Sequence, residues 1–255
     1  MPQKRKKRRR RGGLSRLLRP LSVILAAVAV VAALTLFFKV ETIEVTGANR
    51  YQAEEIIAAS GVEIGDNLIL LDRWRVSQRI YTSLPYITDV RPKQKFPNTL
   101  DIEVTETKAA AAIQGAGAYW LLSGSGKLLE AVDAPAAAAD LEIVGVQAEN
   151  PAVSEDLALP EDSPITAERL MELLTVLADE GAIGRADSVD CSDPRVLVLN
   201  YDGRFRVEMF YDADFQFKIA SLVKIVDEKL EPNEKGTLLM TMEDEYQVNL
   251  VPSYD

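Results

Sequence analysis

The sequence predicts an α+β protein tied to a membrane. A single transmembrane helix leads into a compact β-α-α-β-β unit and then a mixed α/β domain on a mainly antiparallel sheet. Three observations predict this. Residues 21–38 contain no charge, Gly or Pro. Ten lysines and arginines, and no acid, precede that run. Beyond it, short alternating strands interleave with amphipathic helices, separated by Gly, Pro and Asp-Gly turns.

The apolar stretch is residues 20–38, and its charge-free run, 21–38, would be about 27 Å long as a helix, close to the thickness of a bilayer core. A helix satisfies every backbone group within the segment, as lipid requires, and Ser22 and Thr35 can bond back to it. The flanks set its direction. Lys4, Arg5, Lys6, Lys7, Arg8, Arg9, Arg10, Arg11, Arg16 and Arg19 precede it; Lys39, Glu41 and Glu44 follow. The positive-inside rule places the N-terminus in the cytoplasm and everything after Val40 outside, a single-pass type II arrangement. A cleaved signal peptide competes, because Ala32 and Ala33 are small. The run is longer than a usual signal core, and cleavage would leave an exposed Leu-Thr-Leu-Phe-Phe.

The 255 residues carry a net charge of −10, which conceals a split. The tail before the span is near +10 and the part beyond Lys39 is near −21. Beside a span, the basic tail reads as a topology determinant that also attracts anionic lipid, at about 1 kcal/mol per basic residue. The acidic exterior argues against nucleic-acid binding. Cys191 is the only cysteine, so no intrachain disulfide is possible. There is no histidine, which removes His-based triads, His metal ligands and the usual general base near neutral pH.

After the span, Ile43 and Val45 alternate with polar neighbours as a short strand, broken by Gly47-Ala48-Asn49. Glu54 and Glu55 sit in the first turn of a helix with Ile56 and Ile57 on its apolar face, and Gly61 stops it. Asp72 caps a second helix to about Ser83, with Trp74, Ile80 and Leu84 expected to pack. A strand over residues 86–95 contains Pro92, which suits a sheet edge. The turn Phe96-Pro97-Asn98-Thr99 leads to Leu100, Ile102 and Val104, alternating with Asp101, Glu103 and Thr105 as a strand with one wet face.

This stretch resembles the POTRA domain of the FtsQ/DivIB family of bacterial cell-division proteins. The resemblance lies in Ile43-Glu44-Val45-Thr46-Gly47, Gly61, Gly65, Asn67-Leu68, Leu71, Leu84-Pro85-Tyr86-Ile87 and the run from Phe96 to Glu106. The order of basic tail, span, POTRA and β domain matches as well. The expected boundaries are a cytoplasmic tail at 1–19, the span at 20–38, the POTRA domain at 39–107, a C-terminal β domain at 108–252 and a short tail at 253–255.

Within the second domain, an alanine run at 109–112 leads into a strand, a Gly124-Ser125-Gly126 turn and another strand. Residues 134–139 and 148–164 read as loops flanking a possible strand at 141–146. Ser163 or Thr166 caps a helix with Leu170, Leu173, Leu174 and Leu177 on one face, ended by Gly181. Val196-Leu197-Val198-Leu199 reads as a buried strand, and Asp202-Gly203 as a hairpin turn into Phe205, Val207, Met209 and Tyr211. Asp212 or Asp214 caps a helix faced by Phe215, Ile219, Leu222, Val223, Val226 and Leu230, stopped by Pro232. Residues 238–242 and 246–251 are the final strands.

Three patterns suggest chemistry and fail on inspection. Gly124-Ser125-Gly126-Lys127 lacks the first glycine and the hydroxyl of a phosphate loop, where Leu121 and Leu128 stand. Ser221-x-x-Lys224 lacks its partner elements, and Lys235-Gly236-Thr237 has the wrong order. Asp187, Asp190 and Asp193 with Cys191 lack the glycine and terminal glutamate of a calcium loop and read as turn residues. The expectation is therefore a non-enzymatic protein with no catalytic residue, cofactor, metal or small-molecule substrate. The rival is a membrane-tethered, carboxylate-dependent cell-wall hydrolase, which needs two facing acids about 5–10 Å apart.

The family resemblance implies a divisome scaffold at the septum whose partners are FtsL-type and FtsB/DivIC-type division proteins. It also implies contact through the last strands of the β domain, where a partner strand pairs with the sheet edge. The corresponding positions are Thr241, Tyr246, Val248 and Leu250. Glu243-Asp244-Glu245 stands where the family pattern suggests a Pro/Asn/Gly-type turn.

Overall fold

The computed structural model describes residues 14–134, 139, 141–241 and 249–252; the side chains of 14–22, 32, 33, 36 and 249 also lie outside the description. Helix α1 (Leu14–Phe37) covers the apolar stretch. Thr35 Oγ1 donates back to the Val31 carbonyl at 3.0 Å, which satisfies that hydroxyl without water. Val23, Ile24, Leu25, Val28, Val30 and Val31 are exposed on it. Among the described residues no helix is both long and apolar enough to cross a membrane; the unbroken, fully described stretch of α1 runs only over 23–31.

The next unit has the predicted order: β1 (Thr42–Thr46), α2 (Ala53–Ser60), α3 (Arg73–Ser83), β2 (Ile87–Lys95) and β3 (Thr99–Glu106). β3 lies between a parallel β1 and an antiparallel β2. Pro92 therefore sits on an edge strand, the position in a sheet that tolerates proline. Glu55 Oε2 accepts from the Gln52 N–H at 2.8 Å at the start of α2, and Gly61 closes that helix at a φ of +64°. Asp72 Oδ1 accepts from the Arg75 N–H at 3.2 Å and starts α3. Val40, Ile56, Leu68, Val76, Ile80, Ile87, Leu100 and Ile102 fill the core beneath the two helices.

Two expectations need correction here. Trp74 does not pack; it is 71% exposed. α3 buries Val76 and Ile80, four residues apart on one stripe, and Trp74 lies half a turn away from that stripe. Asp101 is not on a wet face but buried. As a residue of the middle strand it is covered from both sides; one oxygen meets Lys95 Nζ at 3.0 Å, and the other has no hydrogen-bond partner among the described residues.

The second domain is built on one nine-stranded sheet. Its strands are β4 (Ala109–Gly115), β5 (Ala118–Ser123), β6 (Leu128–Val132), β7 (Leu141–Gln147), β8 (Ala186–Asp190), β9 (Val196–Tyr201), β10 (Phe205–Phe210), β11 (Gly236–Leu239) and β12 (Asn249–Pro252). They are ordered β12-β11-β10-β9-β8-β7-β4-β5-β6. The pairs β4–β7, β7–β8 and β10–β11 are parallel and the others antiparallel. Helices α4 (Ala167–Asp179) and α5 (Phe215–Glu228), capped by Thr166 and Asp214, supply the apolar faces anticipated for them. Leu170, Leu173, Leu174, Leu177, Phe215, Ile219 and Leu222 form one core with Leu197, Leu199, Val207 and Met209.

Two strands were not expected. The alanine run is itself β4, with Ala111 and Ala112 fully buried, where side chains this small let both faces of the strand be covered. Residues 186–190, read as part of a turn, are β8. Its aspartates serve the turns at its two ends: Asp187 accepts from the Gly203 N–H and Asp190 from the Ser192 N–H, both at 2.9 Å. Pairing between β7 and β9 overrides the weak strand propensity of this polar segment.

Candidate functional site

The route to the sheet's far end begins at the β9–β10 turn. Asp202 and Gly203 both have φ of +60°, and they turn the chain within a three-residue loop closed by the Tyr201–Phe205 pair. Asp202 Oδ2 meets Arg204 Nη2 at 2.5 Å and Arg185 Nη2 at 3.3 Å, and Arg185 Nη1 reaches Asp227 of α5 at 2.8 Å. Arg204 Nη1 also donates to the Pro232 carbonyl at 2.9 Å. These charges tie the hairpin to the end of α5 and to the crossover that delivers β11. Burial works against ionised Asp202, but the guanidiniums of Arg204 and Arg185 outweigh it and hold the carboxyl below the usual range.

β11 lies parallel to β10, with the Gly236 N–H on the Arg204 carbonyl at 3.2 Å and the Met240 N–H on the Glu208 carbonyl at 2.9 Å. β12 then pairs antiparallel with β11, from Gly236 opposite Pro252 to Leu239 opposite Asn249. Gly236 allows this close approach: a β-carbon there would lie 2.3 Å from the Val251 carbonyl oxygen. Leu238 and Met240 anchor β11 in the core. Among the described residues β12 has a single strand neighbour, so one row of its N–H and C=O groups faces away from the sheet.

Of the predicted contact residues, Thr241 is half-buried just past β11 and outside any strand. Leu250 lies on β12 with its side chain packed against the main core, so its side chain belongs to the fold and only its backbone faces the edge. The exposed apolar side chain of β12 is Val251, which the sequence reading passed over. Alternation puts Leu250 and Val251 on opposite faces but does not say which of the two the core covers. Tyr246 and Val248 lie outside the described residues.

A second feature joins the two domains. Lys127, read from sequence as part of a turn, is fully buried. Its Nζ donates to the Tyr81 carbonyl at 2.7 Å and the Ile87 carbonyl at 3.0 Å, and sits 3.6 Å over the Tyr81 ring. Burial pushes its ammonium down to about 8. Nearby, Tyr86 packs with Ala112, Leu121 and Leu129. The Tyr86 hydroxyl donates to Glu130, and the Arg50 guanidinium stacks 3.6 Å over the Tyr86 ring. Burial and then the Glu130 carboxylate push the Tyr86 phenol up to about 12. No sequence signal marked this joint, because Lys127 finds its acceptors on a different domain.

Asp187, Asp190 and Asp193 bond to separate backbone N–H groups, and among the described residues no three His, Cys, Asp or Glu converge as a metal site would require. Cys191 is buried, and burial pushes its thiol up to about 12.

Residues 38–107 match the family described as POTRA domain, FtsQ-type. The chain is 33% identical over 105 residues to the cell division protein FtsQ of Corynebacterium glutamicum, which covers 41% of this chain and 47% of that protein. It is 33% identical over 98 residues to FtsQ of Geobacter sp. strain M21, covering 38% and 35%. It is 33% identical over 94 residues to the cell division protein DivIB of Clostridium acetobutylicum, covering 37% of each. The chain thus spans less than half the length of each of these relatives.

Proposed function

We propose a scaffold function for this chain, which belongs to the FtsQ/DivIB family of cell-division proteins. In this reading α1 anchors the chain in the cell membrane at the division septum, with the basic tail inside and both globular domains outside. The domains hold FtsL-type and FtsB/DivIC-type partners together without catalysing a reaction. The ten-to-zero excess of basic over acidic residues before the apolar stretch supports that orientation.

The observation that carries the reading is the position of β12, at the end of the nine-stranded sheet with one neighbour among the described residues. A partner strand laid along its free side would complete the unpaired backbone groups, and main-chain bonds would supply most of the contact. Thr241, Tyr246, Val248 and Leu250 are the residues proposed to line it, with Val251 added. The buried joint at Lys127 suits such a scaffold, because it fixes the edge relative to the POTRA domain and so to the membrane anchor.

The test is Val248→Pro, which removes one N–H from the segment entering β12. Weaker binding of the FtsL-type and FtsB/DivIC-type partners is expected, with the POTRA unit still folded. Unchanged affinity would remove position 248 from the contact.

A further inference from the structure

The exposed residues at the α1 end of the POTRA domain remain unused by this scheme. Leu70 is 75% exposed and Trp74 71%, and Ile64, Ile69 and Phe96 are exposed as well. The loop that carries Ile64, Ile69 and Leu70, together with Phe96, meets the end of α1, and Trp74 follows that loop in the first turn of α3. Asn67 Nδ2 donates to the Thr35 carbonyl in the last turn of α1 at 3.3 Å, and the Leu68 N–H donates to the Phe38 carbonyl at 2.8 Å. Gly65 N–H and Asp66 O both bond to Val40 at 2.8 Å. Phe38 stacks edge-on against Phe96 at 5.4 Å and against Phe37 at 5.1 Å. Asn67 Oδ1 accepts from the N–H groups of Ile69 and Leu70, which shapes the loop that carries those side chains outward.

We propose that this apolar rim, Ile64, Ile69, Leu70, Trp74 and Phe96, inserts into the interfacial layer of the outer membrane leaflet that α1 leaves. The inference rests on the reading of α1 as a span. If α1 crosses, Phe37 lies at the level of the headgroups. Ile69 and Leu70 follow Asn67 by two and three residues, so they lie within about 10 Å of its contact with α1. The interfacial layer on each side of a bilayer is about 5–8 Å deep. Tryptophan is the side chain best suited to that layer, with an apolar body and a polar N–H. Lys39, Arg73 and Arg75 flank the rim and suit lipid phosphates. Of the acids among them, Asp72 caps α3 and lies 3.9 Å from Arg75, Asp66 accepts from the Glu63 N–H at 3.0 Å, and the Glu63 carboxylate is exposed. The docked POTRA domain would be held flat against the bilayer, and its joint through Lys127 would set the height of the β12 edge above it.

The experiment uses the full chain reconstituted in phosphatidylethanolamine/phosphatidylglycerol vesicles, with plain or brominated acyl chains. The chain has two tryptophans, so Trp74 is read as the emission that Trp74→Phe lacks. Trp74 is exposed, and this variant leaves the core intact. Brominated lipid is expected to remove most of that emission, which should also be blue-shifted from its position in water. Ile69→Ser with Leu70→Ser should restore much of it. A chain that floats with the vesicles while its Trp74 emission stays red and unquenched overturns the inference and leaves the span standing. A chain that does not float overturns both. Trp74 emission that shifts only when a division protein is added overturns lipid docking in favour of a protein contact.

Discussion

Replacing Gly236 by alanine should detach β12 without disturbing the core. The added β-carbon would sit 2.3 Å from the Val251 carbonyl oxygen and 3.0 Å from the Pro252 α-carbon, at a backbone φ of +155° that side chains rarely adopt. Carbon–oxygen contacts across strands are about 3.3 Å or longer, so β12 must move by about 1 Å. A ladder bond of about 2.9 Å does not survive that displacement. Losing two or three such bonds, at about 0.5–1.5 kcal/mol each, costs about 1–3 kcal/mol. That is roughly a fivefold to hundredfold drop in the paired population, at about 1.4 kcal/mol per tenfold. Leu238 and Met240 keep β11 in place. Hydrogen exchange over 236–239 and 249–252 should accelerate by that factor, exchange in the POTRA domain should not change, and partner affinity should fall in parallel. Faster exchange with unchanged affinity would refute the edge as the contact. Unchanged exchange would refute the pairing itself.

Other perturbations test the remaining parts. Glu106 accepts from the N–H groups of Asn49, Arg50 and Tyr51 at 2.8–3.1 Å; burial opposes its ionisation, and these donors outweigh it and hold its carboxyl below the usual range. Its stabilisation is therefore complete above the ordinary carboxylate range and lost as pH falls through the depressed value; Glu106→Gln should cost about 1 kcal/mol at pH 7 and flatten acid unfolding of the POTRA domain. Lys127 gives up its proton near pH 8 in the folded protein but only near pH 10.4 when unfolded. Between those values the unfolded chain binds more protons, so stability should rise with pH, by up to about 3 kcal/mol; urea unfolding of Lys127→Met should lose that rise. Reversing Arg8, Arg9, Arg10 and Arg11 to Glu should disturb insertion, read as altered protease accessibility of the outer domains.

Much of the fold was legible because local chemistry agreed with tertiary structure. Asp72, Thr166 and Asp214 cap helices where their positions before apolar stripes predict it. Asp202-Gly203 forms its hairpin because its backbone demands allow little else. What escaped depended on neighbours distant in sequence. β8 is a strand because β7 and β9 flank it, not because Ala-Asp-Ser-Val-Asp favours extension. Asp101 is buried because β3 is central, a fact absent from its alternation. Lys127 reads as a turn residue until Tyr81 and Ile87 supply acceptors. At the edge, the sequence pointed to the last strands, but alternation alone did not separate Leu250, which packs inward, from Val251, which is exposed. Trp74 was misassigned because aromatic residues usually pack, and its orientation depends on which stripe of α3 meets the sheet.

The most direct measurement is the affinity of the FtsL-type and FtsB/DivIC-type partners for the full chain in nanodiscs, compared with a chain ending at residue 241. That truncation keeps β11 and removes β12. Binding that is lost on truncation, while exchange protection in β9, β10 and the POTRA strands is retained, is the result predicted for an edge-strand scaffold. Equal affinity for both chains, with the sheet intact, would contradict it.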